Sequence, residues 1–229
     1  MRILFKLTLA TSLAATGLGL AAPEAQGMGA KARSTPAPRD RFPAASIADM
    51  EEASGHLLHL GARLTFETSR GTFTLVTFPR EAPRTSEQIV RLVRSGFYNG
   101  LLVHRIVPRT VVQFGNPKTR TLPASHPDVA RGGGSGKPLP PEFSGQTVRY
   151  LMGTVGLAHG ADPNSGDSQL FITTSEAPYL DEAFTVFGQV VSGMDVVRQL
   201  AIGDKILKAT VTQEDPALQA TPTPAPSPS

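Results

Sequence analysis

Between residues 62 and 213 the chain is cut into short apolar runs by Gly, Pro, Asn and Asp, and this punctuation constrains the fold more than any other feature. The runs at 101–107, 111–114, 154–158, 170–173, 185–191 and 206–211 have the length of buried strands and are too short for ordinary helices. Residues 62–78 alternate instead: Leu64 and Phe66, then Phe73 and Leu75, are spaced by polar residues around Ser69-Arg70-Gly71, the pattern of a β-hairpin with a Gly turn. Two stretches carry a helical period. Thr85 and Gln88 form the Thr-x-x-Gln pattern of a capping box ahead of Ile89, Leu92, Val93 and Phe97, which predicts a helix over about 86–95. Ser192 as N-cap, Asp195 three residues on, and the stripe Met194, Val197 and Leu200 predict a second. Many short strands with two helices make a mainly β chain whose sheet closes on itself.

Composition fits one such domain with appendages. Of 229 residues, 40% are hydrophobic and 18% charged, enough apolar surface for a core. The net charge of +3 comes from 22 Lys+Arg against 19 Asp+Glu with no basic block, so nucleic acid is not an expected partner. The absence of cysteine excludes a disulfide framework, thiolate metal sites and thiol catalysis. Residues 1–27 open with Arg2 and Lys6 and carry no charge from Leu7 to Pro23, the pattern of a secretory signal peptide. That stretch is diluted by Thr, Ser and Gly, short of the ~20 apolar residues of a membrane span. The expectation is an exported, periplasmic or secreted protein with no stable membrane span after signal cleavage. Residues 28–61 have the composition of an Ala/Pro-rich linker, in which 46–60 reads as a short helix weakened by Gly55. The folded domain is expected at 62–213, and 214–229 as a Pro/Thr/Ser-rich disordered tail.

Several motifs fall away on inspection. Gly132-Gly133-Gly134-Ser135-Gly136-Lys137 has a phosphate-loop flavour, but its glycine spacing is one short, Pro138 replaces the needed Ser/Thr and no strand precedes it, so it reads as a flexible loop. Asp162-Pro163-Asn164-Ser165-Gly166-Asp167-Ser168 echoes a calcium loop, yet its glycine comes early and Thr173 stands where Glu is required. The histidines show no metal-ligand pairing stronger than His56 with His59, and no Gly-x-Ser-x-Gly elbow occurs.

Three segments carry a joint signal. The first is Val103-His104-Arg105-Ile106-Val107-Pro108 followed by Val111-Val112-Gln113-Phe114-Gly115-Asn116. The second runs from Gly156-Leu157-Ala158-His159 through Pro163-Asn164-Ser165 to Ser168-Gln169-Leu170-Phe171-Ile172. The third is Tyr179-Leu180-Asp181 with Phe184-Thr185-Val186-Phe187-Gly188. In order and spacing these resemble the cyclophilin-type peptidyl-prolyl cis-trans isomerases, over residues 63–211 or so.

The resemblance implies a closed eight-stranded antiparallel barrel with two capping α-helices, and an isomerase acting on X-Pro bonds of proline-containing unfolded or extended polypeptides, as a monomer and without a cofactor. It implies Arg105 and Gln113 as the catalytic residues. It implies His104, Val111, Ala158, His159, Gln169, Phe171, Tyr179, Leu180 and Phe184 as substrate-binding residues. His104 precedes Arg105, so on a strand its side chain points to the opposite face and ranks below it. The chain also departs from the family. Arg109-Thr110 stands in place of Gly-Phe, removing an aromatic wall; Phe114, Asn116 and Leu170 are unusual; and Tyr179 stands where cyclosporin-sensitive members carry Trp. These departures motivate an alternative, a non-catalytic peptide-binding or chaperone module on the same scaffold.

Overall fold

The structure is a computed structural model, described for residues 43–143 and 148–213. The expected signal peptide, residues 28–42 of the linker and the tail 214–229 lie outside the described residues.

Eight strands form one sheet: β1 (Arg63–Thr68), β2 (Gly71–Thr77), β3 (Arg105–Val107), β4 (Val111–Phe114), β5 (Thr154–Leu157), β6 (Leu170–Thr173), β7 (Val186–Ser192) and β8 (Ile206–Gln213). Their order is β3-β4-β6-β5-β7-β2-β1-β8, and every pairing is antiparallel. The expected closed barrel is corrected to a curled half-barrel. β3 and β8 are the two edges; the segments leading into them are joined by the isolated bridge Leu102–Lys205 and by backbone hydrogen bonds such as Val103 N–H to the Asp204 carbonyl and Ile206 N–H to the Leu101 carbonyl, without a continuous ladder. The reason is length: β3 has 3 residues and cannot build a ladder along the 8 of β8.

The central strands are buried on both faces, which is why they read as unbroken apolar runs. Val112, Phe114, Leu170 and Ile172 point into the main core with Leu64, Leu75 and Phe187. There Phe66 stacks on its cross-strand partner Phe73, centroids 5.1 Å apart, and Tyr98 and Phe114 pack edge-on against Phe66. Val111 and Phe171, one residue out of phase, belong to a second apolar cluster on the other face with Val76, Phe78, Tyr150 and Val186. Helix α1 (Ile47–Ser54) joins this second cluster through fully buried Met50, and Gly55, which weakens the sequence pattern, is its C-cap.

Two capping expectations are corrected. Helix α2 (Pro83–Arg94) starts earlier than the Thr-x-x-Gln pattern indicates, with Pro83 in its first turn and no side-chain bond from its N-cap Ala82. Its first N–H groups are satisfied from afar: Arg84 and Thr85 donate to the Glu142 carboxylate, each at 2.9 Å. Thr85 and Gln88 are buried and turned to tertiary partners. Before helix α4 (Met194–Gln199), Ser192 is the last residue of β7 and Gly193 is the N-cap. Gly193 has φ 77, and a Cβ there would lie 2.4 Å from the Thr72 carbonyl oxygen, so only glycine fits. Between β4 and β5, a 3-10 turn (Pro117–Arg120) and the short helix α3 (Pro127–Ala130) fill the first half of the long loop. Among the described residues no helix is long and apolar enough to cross a membrane.

Candidate functional site

The strand registers set Arg105, Gln113, Phe171 and Gly156 in one row. Arg105 is directly opposite Gln113, Gln113 opposite Phe171, and Phe171 opposite Gly156, across β3, β4, β6 and β5. Directly paired residues share a face, so a cation, an amide and an aromatic ring are presented side by side. Gly156 completes the row by contributing nothing: a Cβ there would lie 2.3 Å from Phe171 Cζ. The ring occupies that space, stacked on Tyr150 at 5.5 Å and edge-on to Phe184 at 5.4 Å.

Above this row is a cavity of about 420 Å³. Phe171 and Val111 line its base, Leu180, Tyr179 and Phe184 one wall, Ala158 and His159 another, and Arg105 and Gln113 its polar side. Thus every residue expected to bind substrate lines one cavity, except His104 and Gln169. The wall segment Pro178–Leu180 is a 3-10 turn; just after it Asp181 accepts from the Tyr150 N–H at 2.9 Å and from Arg149 Nη1 at 2.8 Å. Arg149 is held above the usual guanidinium range chiefly by its bond to Asp181. His159 stacks on Phe184 at 4.4 Å, its ring nitrogens against the Gly160 and Ala183 carbonyls at 2.8 and 2.9 Å. Thr110, standing where the family has an aromatic residue, also borders the cavity and leaves that side open.

Behind the polar side runs a directed hydrogen-bond chain. Arg105 Nη1 donates to Gln113 Oε1 at 3.1 Å, and Gln113 Nε2 donates to Gln169 Oε1 at 2.9 Å. The same Gln169 oxygen contacts His104 Nε2 at 2.9 Å, which therefore carries the proton, and Gln169 Nε2 donates to the Gly133 carbonyl at 2.7 Å. His104 and Gln169 thus do not line this cavity; Gln169 lines an adjoining one of about 500 Å³ that shares Gln113, Ala158 and His159 with it. Burial pushes the His104 imidazole below its usual range, with the bond to Gln169 acting the other way. Burial likewise lifts the Tyr150 phenol, so it is neutral beneath the ring it stacks on.

Sequence reasoning missed Gly156 as part of the row and Tyr150 under Phe171. Gly156 is visible only once strand register is known, and Tyr150 lies outside the motif segments. The Gly132–Lys137 stretch, expected as a flexible loop, is tied down. Asp167 accepts from the Gly136 and Lys137 N–H groups at 2.8 and 3.0 Å and from the Ser135 hydroxyl. The calcium-loop echo is a turn in which Asp162 accepts from the Asn164 N–H at 2.9 Å. Among the described residues no cluster of three or more His, Asp or Glu is disposed to hold a metal ion.

Comparison with known proteins bears on the whole arrangement. Residues 63–221 match the family model described as cyclophilin-type peptidyl-prolyl cis-trans isomerase. A probable peptidyl-prolyl cis-trans isomerase of Brucella abortus is 40% identical over 154 residues, 66% of this chain and 77% of that protein. A peptidyl-prolyl cis-trans isomerase-like protein 1 of Aspergillus niger is 32% identical over 164 residues, covering 66% of this chain and 95% of its own. The fold is also that of a solved cyclophilin from Hirschia baltica, with TM-score 0.56 and 20% identity over 66% of this chain and 74% of that one. A Cryptosporidium parvum cyclophilin gives TM-score 0.57 at 20% identity, over 68% of this chain and 99% of that one.

Proposed function

The chain belongs to the cyclophilin-type peptidyl-prolyl cis-trans isomerases, and from that premise we propose that it isomerises X-Pro bonds in unfolded or extended polypeptides, with Arg105 as the catalytic residue and the adjoining cavity as the proline pocket. One observation carries this reading: the Arg105 guanidinium, held by Gln113, borders the apolar pocket based on Phe171.

Uncatalysed rotation about X-Pro is slow because it breaks amide resonance, a barrier of ~20 kcal/mol. In the twisted state the prolyl nitrogen becomes pyramidal and regains a lone pair. A guanidinium N–H donated to that lone pair stabilises the twisted state more than the planar one, the condition for acceleration. Gln113 takes up one N–H of Arg105 and so fixes the plane of the fork, leaving other donors for substrate. Phe171, Leu180 and Phe184 hold the pyrrolidine ring and exclude water, so the N–H meets the nitrogen in a dry, prearranged setting. No proton leaves Arg105, and no covalent intermediate or cofactor enters the scheme.

The substrates are proposed to be chains met after export, on the strength of the charged start and uncharged stretch of residues 1–27 and of a sequence without cysteine, whose stability is independent of redox state. Thr110 at the rim favours a second reading, a module that binds proline segments without turning them over. Both are separated by isomerisation of an Ala-Pro tetrapeptide, measured for the wild type, Arg105→Ala and Thr110→Phe. An isomerase loses rate in Arg105→Ala and gains pocket affinity in Thr110→Phe. A binding module shows no acceleration in any variant and retains peptide affinity in Arg105→Ala.

A further inference from the structure

The Gly132–Lys137 loop has no part in the proposed mechanism, yet its Gly133 carbonyl is the terminus of the hydrogen-bond chain that leads to Arg105. The geometry points to Asp167 as a positioning residue: by clasping this loop it fixes the Gly133 carbonyl, hence the orientation of the Gln169 amide, hence Gln113, hence the Arg105 guanidinium. This inference rests on the isomerase reading above.

Asp167 is 8% exposed, and both carboxylate oxygens are engaged. Oδ2 accepts the N–H groups of Gly136 and Lys137, while Oδ1 accepts from Ser135 and from Gln88 Nε2 at 3.3 Å. At two of its glycines the loop is packed too closely for a side chain. A Cβ on Gly134 would lie 2.4 Å from Asp167 Oδ2, and one on Gly133 2.7 Å from Asn116 Oδ1. The three consecutive glycines thus have separate reasons, none involving a phosphate: Gly134 lies against the Asp167 carboxylate, Gly133 lies against the Asn116 amide, and Gly132 has φ 86.

The chain has a fixed polarity. A primary amide has one accepting and one donating end, and the Gly133 carbonyl can only accept. It therefore draws Gln169 Nε2 toward the loop and turns Oε1 toward Gln113 Nε2 and His104 Nε2. Gln113 is left with Oε1 toward Arg105. If the carbonyl moves away, Gln169 loses the partner that defines its orientation. Its flipped form would set an NH2 group against the NH2 of Gln113, and Arg105 would lose its fixed acceptor. Asp167 does not line the proline pocket, only the adjoining cavity that shares Gln113, Ala158 and His159 with it, so affinity for the prolyl residue itself is expected to be spared.

The test is exchange NMR of an Ala-Pro peptide, giving kcat and KM for the wild type, Asp167→Ala, Asp167→Asn, Gln169→Ala and the Asp167→Ala/Gln169→Ala double variant. The 15N signals of the Gln113 and Gln169 side-chain amides and of Arg105 Nε–H are followed in parallel. Asp167→Ala is expected to lower kcat about ten- to a hundredfold, the scale of an ångström-level misplacement, with KM nearly unchanged and the Arg105 and Gln113 signals shifted or broadened. The double variant is expected to be no slower than Gln169→Ala alone. Asp167→Asn is expected to recover part of the rate, since its amide oxygen still accepts from the loop N–H groups and its NH2 can donate to the Ser135 hydroxyl, while the long contact from Gln88 Nε2 is lost. Wild-type kcat and an unmoved Arg105 signal in Asp167→Ala would overturn the inference, as would losses that multiply in the double variant. If Asp167→Ala does not fold, the Arg105 signal in Asp167→Asn and Ser135→Ala decides. A wild type that does not accelerate exchange would refute the isomerase reading, and the NMR signals alone would then decide the role of Asp167.

Discussion

Replacing Gly156 by Ala adds one methyl group against the Phe171 ring that forms the base of the proposed proline pocket. The new Cβ would lie 2.3 Å from Phe171 Cζ, 2.7 Å from Phe171 Cε1 and 2.4 Å from the Tyr150 hydroxyl oxygen. Ordinary contact begins near 3.4 Å, so the ring must give by about an ångström. It has little freedom, being stacked on Tyr150 and edge-on to Phe184. Overpacking of this kind costs about 1–3 kcal/mol, and at roughly 2–4 °C per kcal/mol for a domain this size Tm should fall by about 2–12 °C. Because the displaced ring is the base of the pocket, KM for a proline peptide should rise as well. Calorimetry and peptide titration read the two effects, and Phe171→Leu in the Gly156→Ala background should restore part of the Tm by removing the clashing ring edge. Gly156→Ala with wild-type Tm and wild-type peptide affinity would refute both the tight register and the assignment of Phe171 to the pocket base.

Other outcomes follow from the same geometry. Arg109 occupies the third position of the Val107–Thr110 turn with φ 57, a left-handed conformation that costs a non-glycine residue about 1–2 kcal/mol; Arg109→Gly should stabilise the fold by up to about 1 kcal/mol, read as a higher urea midpoint at unchanged slope, and a fall would show that other Arg109 contacts outweigh the strain. Because His104 is depressed below its ordinary value of 6.5 by burial, the unfolded chain takes up the proton first, so its contribution is intact above about pH 6.5 and declines as pH falls below that. Tm measured between pH 7.5 and 5 (a range of roughly 2.5 units around the ordinary His value) should therefore drop more for the wild type than for His104→Gln, and parallel curves would contradict the buried neutral assignment. Cyclosporin should bind weakly, because Tyr179 is 67% exposed and stands where sensitive members carry Trp; submicromolar affinity by titration would refute this.

Much of this was legible in the residues, for reasons that differ from element to element. The apolar runs 111–114 and 170–173 coincide with β4 and β6 because flanking turn residues delimit them sharply. The three motif segments bring their residues to one cavity because each falls on, or directly beside, neighbouring strands. What was not legible depends on distant partners. Thr85 and Gln88 have the letters of a capping box, but Glu142, more than fifty residues on, caps α2, and Gln88 is drawn inward to the Lys137 carbonyl at 2.7 Å. Closure of the sheet failed because the apolar run from Leu101 enters the ladder only at Arg105, leaving too short an edge strand. The glycines at 132–134 signal flexibility by composition, and only the positions of Asp167 against Gly134 and of Asn116 against Gly133 reveal that close packing requires two of them.

The central claim is that the Arg105 guanidinium acts on the rotating bond and does not merely hold the peptide. Its most direct test is exchange NMR at saturating Ala-Pro peptide, comparing the wild type with Arg105→Lys and Arg105→Ala. The expected result is a kcat that falls in Arg105→Lys, where a point-like ammonium replaces the planar fork, and falls further in Arg105→Ala, while peptide affinity changes far less than rate. Arg105→Ala turning over the peptide at the wild-type rate would contradict it.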